Sequence, residues 1–131
     1  MPTVVRRLAV AVLGLAMVAV GCSPTPTTPS EVAAPPPGTD LTIRAENVTF
    51  VPATLSAPAG VPLRVTLQNA DDDIPHNLRL LAPPAFQRSL LETEVILGPA
   101  EVTMAIPGLA PGRYRFDCSV HPSMVSDLGV G

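Results

Sequence analysis

The chain has no lysine, no tryptophan, one tyrosine and three phenylalanines in 131 residues. Without lysine, and with only eight scattered arginines, it lacks the basic stripe that neutralises nucleic-acid phosphates, which excludes a nucleic-acid partner. The scarcity of aromatics leaves the core to Val, Leu, Ile and Ala. Histidine occurs only at His76 and His121, and cysteine only at Cys22 and Cys118. No apolar run reaches the ~20 residues that a membrane-spanning helix needs. What the chain has in quantity is proline, with 17, alongside 9 glycines. That is too many breakers for a helical bundle and suits short strands joined by tight turns.

Residues 1–21 read as a secretory signal. Arg6 and Arg7 form the positive start, and Leu8 to Val20 is a continuous apolar stretch. Ala19-Val20-Gly21-Cys22 then resembles a bacterial lipobox, in which Cys22 receives a lipid and becomes the mature N-terminus. Ala19 departs from the commoner Leu. An ordinary cleaved signal with a chance cysteine, or an uncleaved anchor, are the alternative readings. Cleavage would remove Arg6 and Arg7, leaving six Arg against eleven Asp plus Glu, a net charge near −5. Residues 22–39 have six prolines and no hydrophobic period, so they form an extended tether rather than a core-bearing segment. The expected location is extracytoplasmic, lipid-anchored to a bacterial membrane on its periplasmic side or at the cell surface.

Residues 40–131 alternate strand and turn. Leu41 to Ala45, Thr54 to Ala57, Leu63 to Gln68, Asn77 to Leu81, Val102 to Ile106 and Arg113 to Cys118 are strand segments, with Leu63, Val65 and Leu67 facing inward. Val48 to Phe50 and Glu94 to Leu97 are shorter extended pieces. Ala85 to Leu91 suits a short helical turn, and Leu128 to Gly131 a last edge strand. Seven or eight short strands in such a length imply an all-β, antiparallel β-sandwich with Greek-key connections.

Cys118-Ser-Val-His121-Pro-Ser-Met124 concentrates a thiolate, an imidazole and a thioether within seven residues. With a second histidine, these donors match the His₂Cys set with a weak axial Met that holds copper in electron-transfer sites. The only other imidazole is His76, in Ile74-Pro-His-Asn-Leu78.

The series Phe50-x-Pro52, Gly60, Asn69, Pro75-His-Asn77 and Pro-Gly-x-Tyr-x-Phe-x-Cys-x-x-His-Pro-x-Met resembles the cupredoxins, and the short Cys-x₂-His-x₂-Met loop is most similar to amicyanin. The resemblance implies one type 1 copper ion held by His76, Cys118, His121 and Met124. Asn77 would tie the two ligand loops together by hydrogen bonds, supporting the ligands from outside. His121 would be the exposed ligand through which electrons enter, within an apolar rim of Pro75, Pro122 and Val125. By the same resemblance, protonation of that His in the reduced state would raise the reduction potential as pH falls. The family usually continues into a longer final strand than Val125 to Gly131 offers.

Each residue also has a plainer reading. A cysteine near a strand end is most often a small buried hydrophobe. Here lipidation of Cys22 would leave Cys118 an unpaired thiol in an oxidising compartment, which ligation explains. His121 alone reads as a surface loop residue, His76 as a core histidine, and Met124 as core filler. Met104 in mid-strand reads as core. Asp71 to Asp73 reads as a solvated loop, with cation binding or steering of a basic partner as alternatives. Asp117 reads as outward-facing. Two histidines cannot build a further His-rich copper centre, which argues against a self-contained multicopper oxidase or copper nitrite reductase. Zinc seldom takes a Met ligand, and a Cys118–His121 dyad lacks an orienting third group. The expectation is a monomeric, non-enzymatic electron carrier meeting redox partners such as a cytochrome, an oxidase or a dehydrogenase. A copper-storing or copper-delivering lipoprotein is the alternative, and a copper-free module of the same fold a third reading.

Overall fold

The computed structural model describes residues 38–131. Cys22, the signal and nearly all of the tether therefore lie outside the described residues. Strand β1 spans Thr39–Ala45, β2 Phe50–Val51, β3 Thr54–Ala57, β4 Leu63–Asn69, β5 Pro75–His76 and β6 Arg79–Leu81. They are followed by β7 Ser89–Glu92, β8 Ile96–Leu97, β9 Ala100–Ile106, β10 Gly112–Asp117 and β11 Val125–Val130. One sheet has the order β2-β1-β4-β9 and the other β3-β11-β10-β6-β7, with β5 and β8 forming a small separate pair.

The eleven strands exceed the expected seven or eight because prolines and turns cut off three two-residue pieces, β2, β5 and β8. The pairing is also not wholly antiparallel. β1 pairs parallel to β4, and β3 parallel to β11. Between β1 and β4 the chain crosses to the other sheet as β3, and it returns running in its original direction.

Alternation builds the core. Ile43, Ala45, Val65, Leu67, Met104 and Ile106 point inward from the first sheet, and Leu80, Tyr114, Phe116, Leu128 and Val130 from the second. Each large side chain so buried contributes roughly 1.5–3 kcal/mol. Outward positions are polar, as in the Thr66–Thr103 cross-strand hydroxyl pair at 3.0 Å.

Three sequence expectations change. Residues Leu128 to Gly131 do not form an edge. β11 begins at Val125 and sits between β3 and β10, because Ser126, Leu128 and Val130 alternate inward despite the glycines. The helical turn at Ala85–Leu91 is reduced to one turn closed by Phe86 N–H to the Ala82 carbonyl, 3.0 Å, and Ser89–Glu92 is strand. Asp117 is buried, not simply outward-facing, because Arg79 covers it with two hydrogen bonds of 2.8 and 2.6 Å.

A two-residue hairpin turn links β1 and β2. Glu46 and Thr49 exchange backbone hydrogen bonds of 3.0 and 3.2 Å, and the central Asn47 and Val48 have φ of 54° and 53°. Both positions of such a turn need positive φ, which Asn tolerates and a β-branched Val does not. Val48 therefore carries strain of about 1–3 kcal/mol.

Candidate metal centre

The site gathers at the pole where β1 and β4 end and β9 begins. His76 closes β5, pinned opposite Ile96 of β8. Cys118 follows the last residue of β10. His121 lies in the next loop, and Met124 directly precedes β11. Pro122 occupies the second position of the turn His121 to Met124, which Met124 N–H closes onto the His121 carbonyl at 2.9 Å. Proline's fixed φ suits that position, so the turn keeps His121 and Met124 close along the chain.

The candidate donors converge. Ligand atoms of His76, Cys118 and His121 lie within 4.8 Å of one another. Cys118 Sγ is 3.9 Å from His76 Nδ1, and the two imidazole rings meet edge-on with centroids 4.9 Å apart. Met124, Cys118 and His76 are all buried, whereas His121 is half-buried. Cys118 is a free thiol. His121 Nδ1 is buried with no hydrogen-bond partner among the described residues. Such an orphan costs about 1–3 kcal/mol unless something fills its lone pair. A metal ion held by it, the Cys118 sulfur and the second imidazole would do so, and two imidazoles, a thiol and a thioether are the donor set that suits copper. The four side chains form a type 1 copper-like site.

Support comes from both ligand loops. Asn77 Oδ1 accepts from the Ser119 backbone N–H at 2.8 Å and from its hydroxyl at 2.9 Å, while Asn77 Nδ2 donates to Glu92 at 2.8 Å. The residue beside His76 is thus bonded to the residue beside Cys118. Asn69 Nδ2 donates to the Ile74 and Ile96 carbonyls at 2.8 and 3.0 Å, shaping the loop that leads to His76. Met104 lies in the core.

Sequence reasoning missed Asp71. The run Asp71 to Asp73 is not uniformly solvated: Asp72 and Asp73 are exposed, but Asp71 is buried and accepts from His76 Nε2 at 2.8 Å. It also accepts from the backbone N–H groups of Asn47 and Val48. Burial pushes its carboxyl up, but the bonds from Val48, His76 and Asn47 outweigh this and hold it below the ordinary carboxylate range. No periodicity marks one aspartate of three in a loop, so nothing in the sequence separated it from its neighbours. On the other flank, the Asp117 carboxylate beside Arg79 holds that guanidinium above its ordinary value, and Arg79 lies within electrostatic reach of Cys118.

Residues 11–129 match the family of cupredoxin-like domains. No curated protein matches the chain. The fold is similar to that of a dithionite-reduced auracyanin from Roseiflexus castenholzii, at 20% identity and a TM-score of 0.62 over 72% of this chain and 98% of that one. Auracyanin A from Chloroflexus aurantiacus, described as a "blue" copper protein, gives 19% identity and a TM-score of 0.62, covering 71% of this chain and 98% of that one. A variant of amicyanin in its reduced Cu(I) form gives 17% and 0.54, covering 70% and 82%. With the fold, the donor set and the match over most of its length in agreement, the chain belongs to the cupredoxin-like domain family.

Proposed function

We propose that the protein is a mononuclear blue-copper electron carrier acting outside the cytoplasm. The observation that bears most weight is the orphaned His121 Nδ1, beside a free thiol and a second imidazole, with Met124 buried three residues further on. When bound, copper supplies a one-electron couple. His76, Cys118, His121 and Met124 would hold it. Asn77 and the strands on either side resist ligand rearrangement between oxidation states, which keeps reorganisation small. His121 is the ligand that reaches the surface, and Val120 and Val125 beside it are 42% and 39% exposed. A small apolar rim of this kind suits weak, fast-dissociating redox partners such as a cytochrome, an oxidase or a dehydrogenase.

The lipid anchor at Cys22 and the tether belong to the same proposal. β1 enters the fold at Thr39, which pairs with Leu63 at the end of the sandwich away from the metal donors. No helix among the described residues is long and apolar enough to cross a membrane.

A second reading, delivery of copper to an acceptor, draws on one feature: three of the four donors sit on the single segment 118–124, so opening one loop releases the metal. Stopped-flow mixing of the reduced, copper-loaded chain with an oxidised c-type cytochrome separates the two. Rapid electron exchange with copper retained supports the carrier. Slow exchange, with Cu(I) lost to an apo-acceptor, supports delivery instead.

A further inference from the structure

Asp71 is a buried carboxylate outside the donor set, and its surroundings differ from those of the other buried aspartate, Asp117. Arg79 neutralises Asp117. Asp71 has only uncharged partners when His76 is neutral: two backbone N–H groups and an imidazole nitrogen 2.8 Å away. Its negative charge is not cancelled where it sits.

The geometry points to Asp71 as a positioning residue of the metal centre: gripping the Asn47–Val48 turn with both oxygens, it fixes the His76 proton on Nε2 and keeps a negative charge one imidazole away from the metal. This rests on the copper reading above. An ionised carboxylate only accepts, so a neutral His76 facing it must carry its hydrogen on Nε2. The Nδ1 lone pair is then free, and it faces Cys118 Sγ at 3.9 Å. The opposite tautomer would place a hydrogen on the coordinating nitrogen.

The grip keeps the carboxylate from swinging away. Val48 N–H donates to the same oxygen, Oδ2, that takes the His76 hydrogen, and Asn47 N–H donates to Oδ1. Asp71 N–H is in turn tied to Asn69 Oδ1 at 3.0 Å. Val48 holds a φ of 53° that its branched side chain disfavours, so the turn is stabilised from outside itself, and the carboxylate is what touches it. A turn on the first sheet, a loop residue and a metal ligand thus form one rigid unit.

The electrostatic consequence has a definite sign. An uncancelled negative charge in a low-dielectric site favours the more positive oxidation state, Cu(II), over Cu(I). Asp71→Asn keeps the shape and removes the charge. It also cannot satisfy both turn N–H groups, because its amide offers one acceptor oxygen.

The test uses the full chain. In the copper-loaded protein, Asp71→Asn is expected to raise the reduction potential by at least about 59 mV, a tenfold change in the ratio of Cu(II) to Cu(I) affinity for a one-electron couple. In the copper-free protein, long-range ¹⁵N NMR is expected to show the His76 hydrogen on Nε2 in the wild type and a tautomer mixture in Asp71→Ala. A folded, blue Asp71→Asn with unchanged potential overturns the inference. So does a wild-type His76 with its hydrogen on Nδ1, a result that needs no variant to fold. A wild-type chain that stays colourless with copper would sink the copper reading, while the tautomer measurement would still decide the role of Asp71.

Discussion

Asn77 and Ser119, 42 residues apart in sequence, are joined by two hydrogen bonds to one oxygen: the Ser119 backbone N–H at 2.8 Å and its hydroxyl at 2.9 Å. Each residue is the chain neighbour of a metal donor, so this bond pair sets the distance between the His76 loop and the Cys118 loop. Asn77→Ala would take from the part-buried Ser119 N–H its side-chain partner, costing about 1 kcal/mol. It should also weaken copper binding by roughly 10–100-fold, as the loss of outer support usually does. Equilibrium unfolding and competitive copper titration measure the two effects separately. Unchanged copper affinity would show that the donors hold their own geometry.

The Arg79–Asp117 pair lies one residue from Cys118 and is mostly shielded, with side chains 28% and 10% exposed. Arg79→Met strands the Asp117 charge and should cost about 1–3 kcal/mol, between the values for exposed and buried pairs. Adding Asp117→Leu should recover much of that loss, since an apolar pair replaces a buried ionic one at little cost. A urea midpoint for the double variant no higher than that of Arg79→Met would contradict this.

Acid stability follows from Asp127. The Arg115 guanidinium, at 2.7 Å, holds its carboxyl below the ordinary 3.8, against a smaller opposing effect of burial. A depressed folded pKa gives stability that is complete above the unfolded value and is lost as pH falls through the folded one. This contribution therefore starts to decline as pH falls below 3.8 and is gone only once pH has passed through the lower folded value. Asp127→Asn should lower the melting temperature at neutral pH and flatten its decline in acid. Parallel melting curves for both proteins from neutral to acid pH would contradict the assignment.

Much of this was legible because strands facing a core alternate. Leu63, Val65 and Leu67 announced β4, and the Cys-x₂-His-x₂-Met spacing announced the donor loop. The interior place of β11 was not legible, because Gly129 and the polar Ser126 masked an alternation that only burial of Ser126, Leu128 and Val130 reveals. The parallel β1–β4 pairing was hidden as well, since local pattern does not say which sheet a strand returns to. Asp71 was hidden most deeply. Its burial depends on a turn 23 residues earlier whose positive φ at Val48 no propensity suggests.

Phe116 is fully buried at the centre of the second sheet, in register with Leu80 and Ser126 and two residues before Cys118. Phe116→Ala should cost about 3–5 kcal/mol through lost burial and a residual cavity. The cost should be the same in copper-free protein, because the side chain serves the core and not the donors. A loss confined to the copper-loaded form, measured by denaturant unfolding, would place Phe116 in the site instead.

His76, Cys118, His121 and Met124 are expected to hold one copper ion. Titrating the purified chain with Cu(II) while recording its visible spectrum tests this most directly. The expected result is an intense thiolate-to-copper band that saturates at one equivalent and is absent in Cys118→Ser. A colourless product at saturating Cu(II), or a band that survives Cys118→Ser, would contradict it.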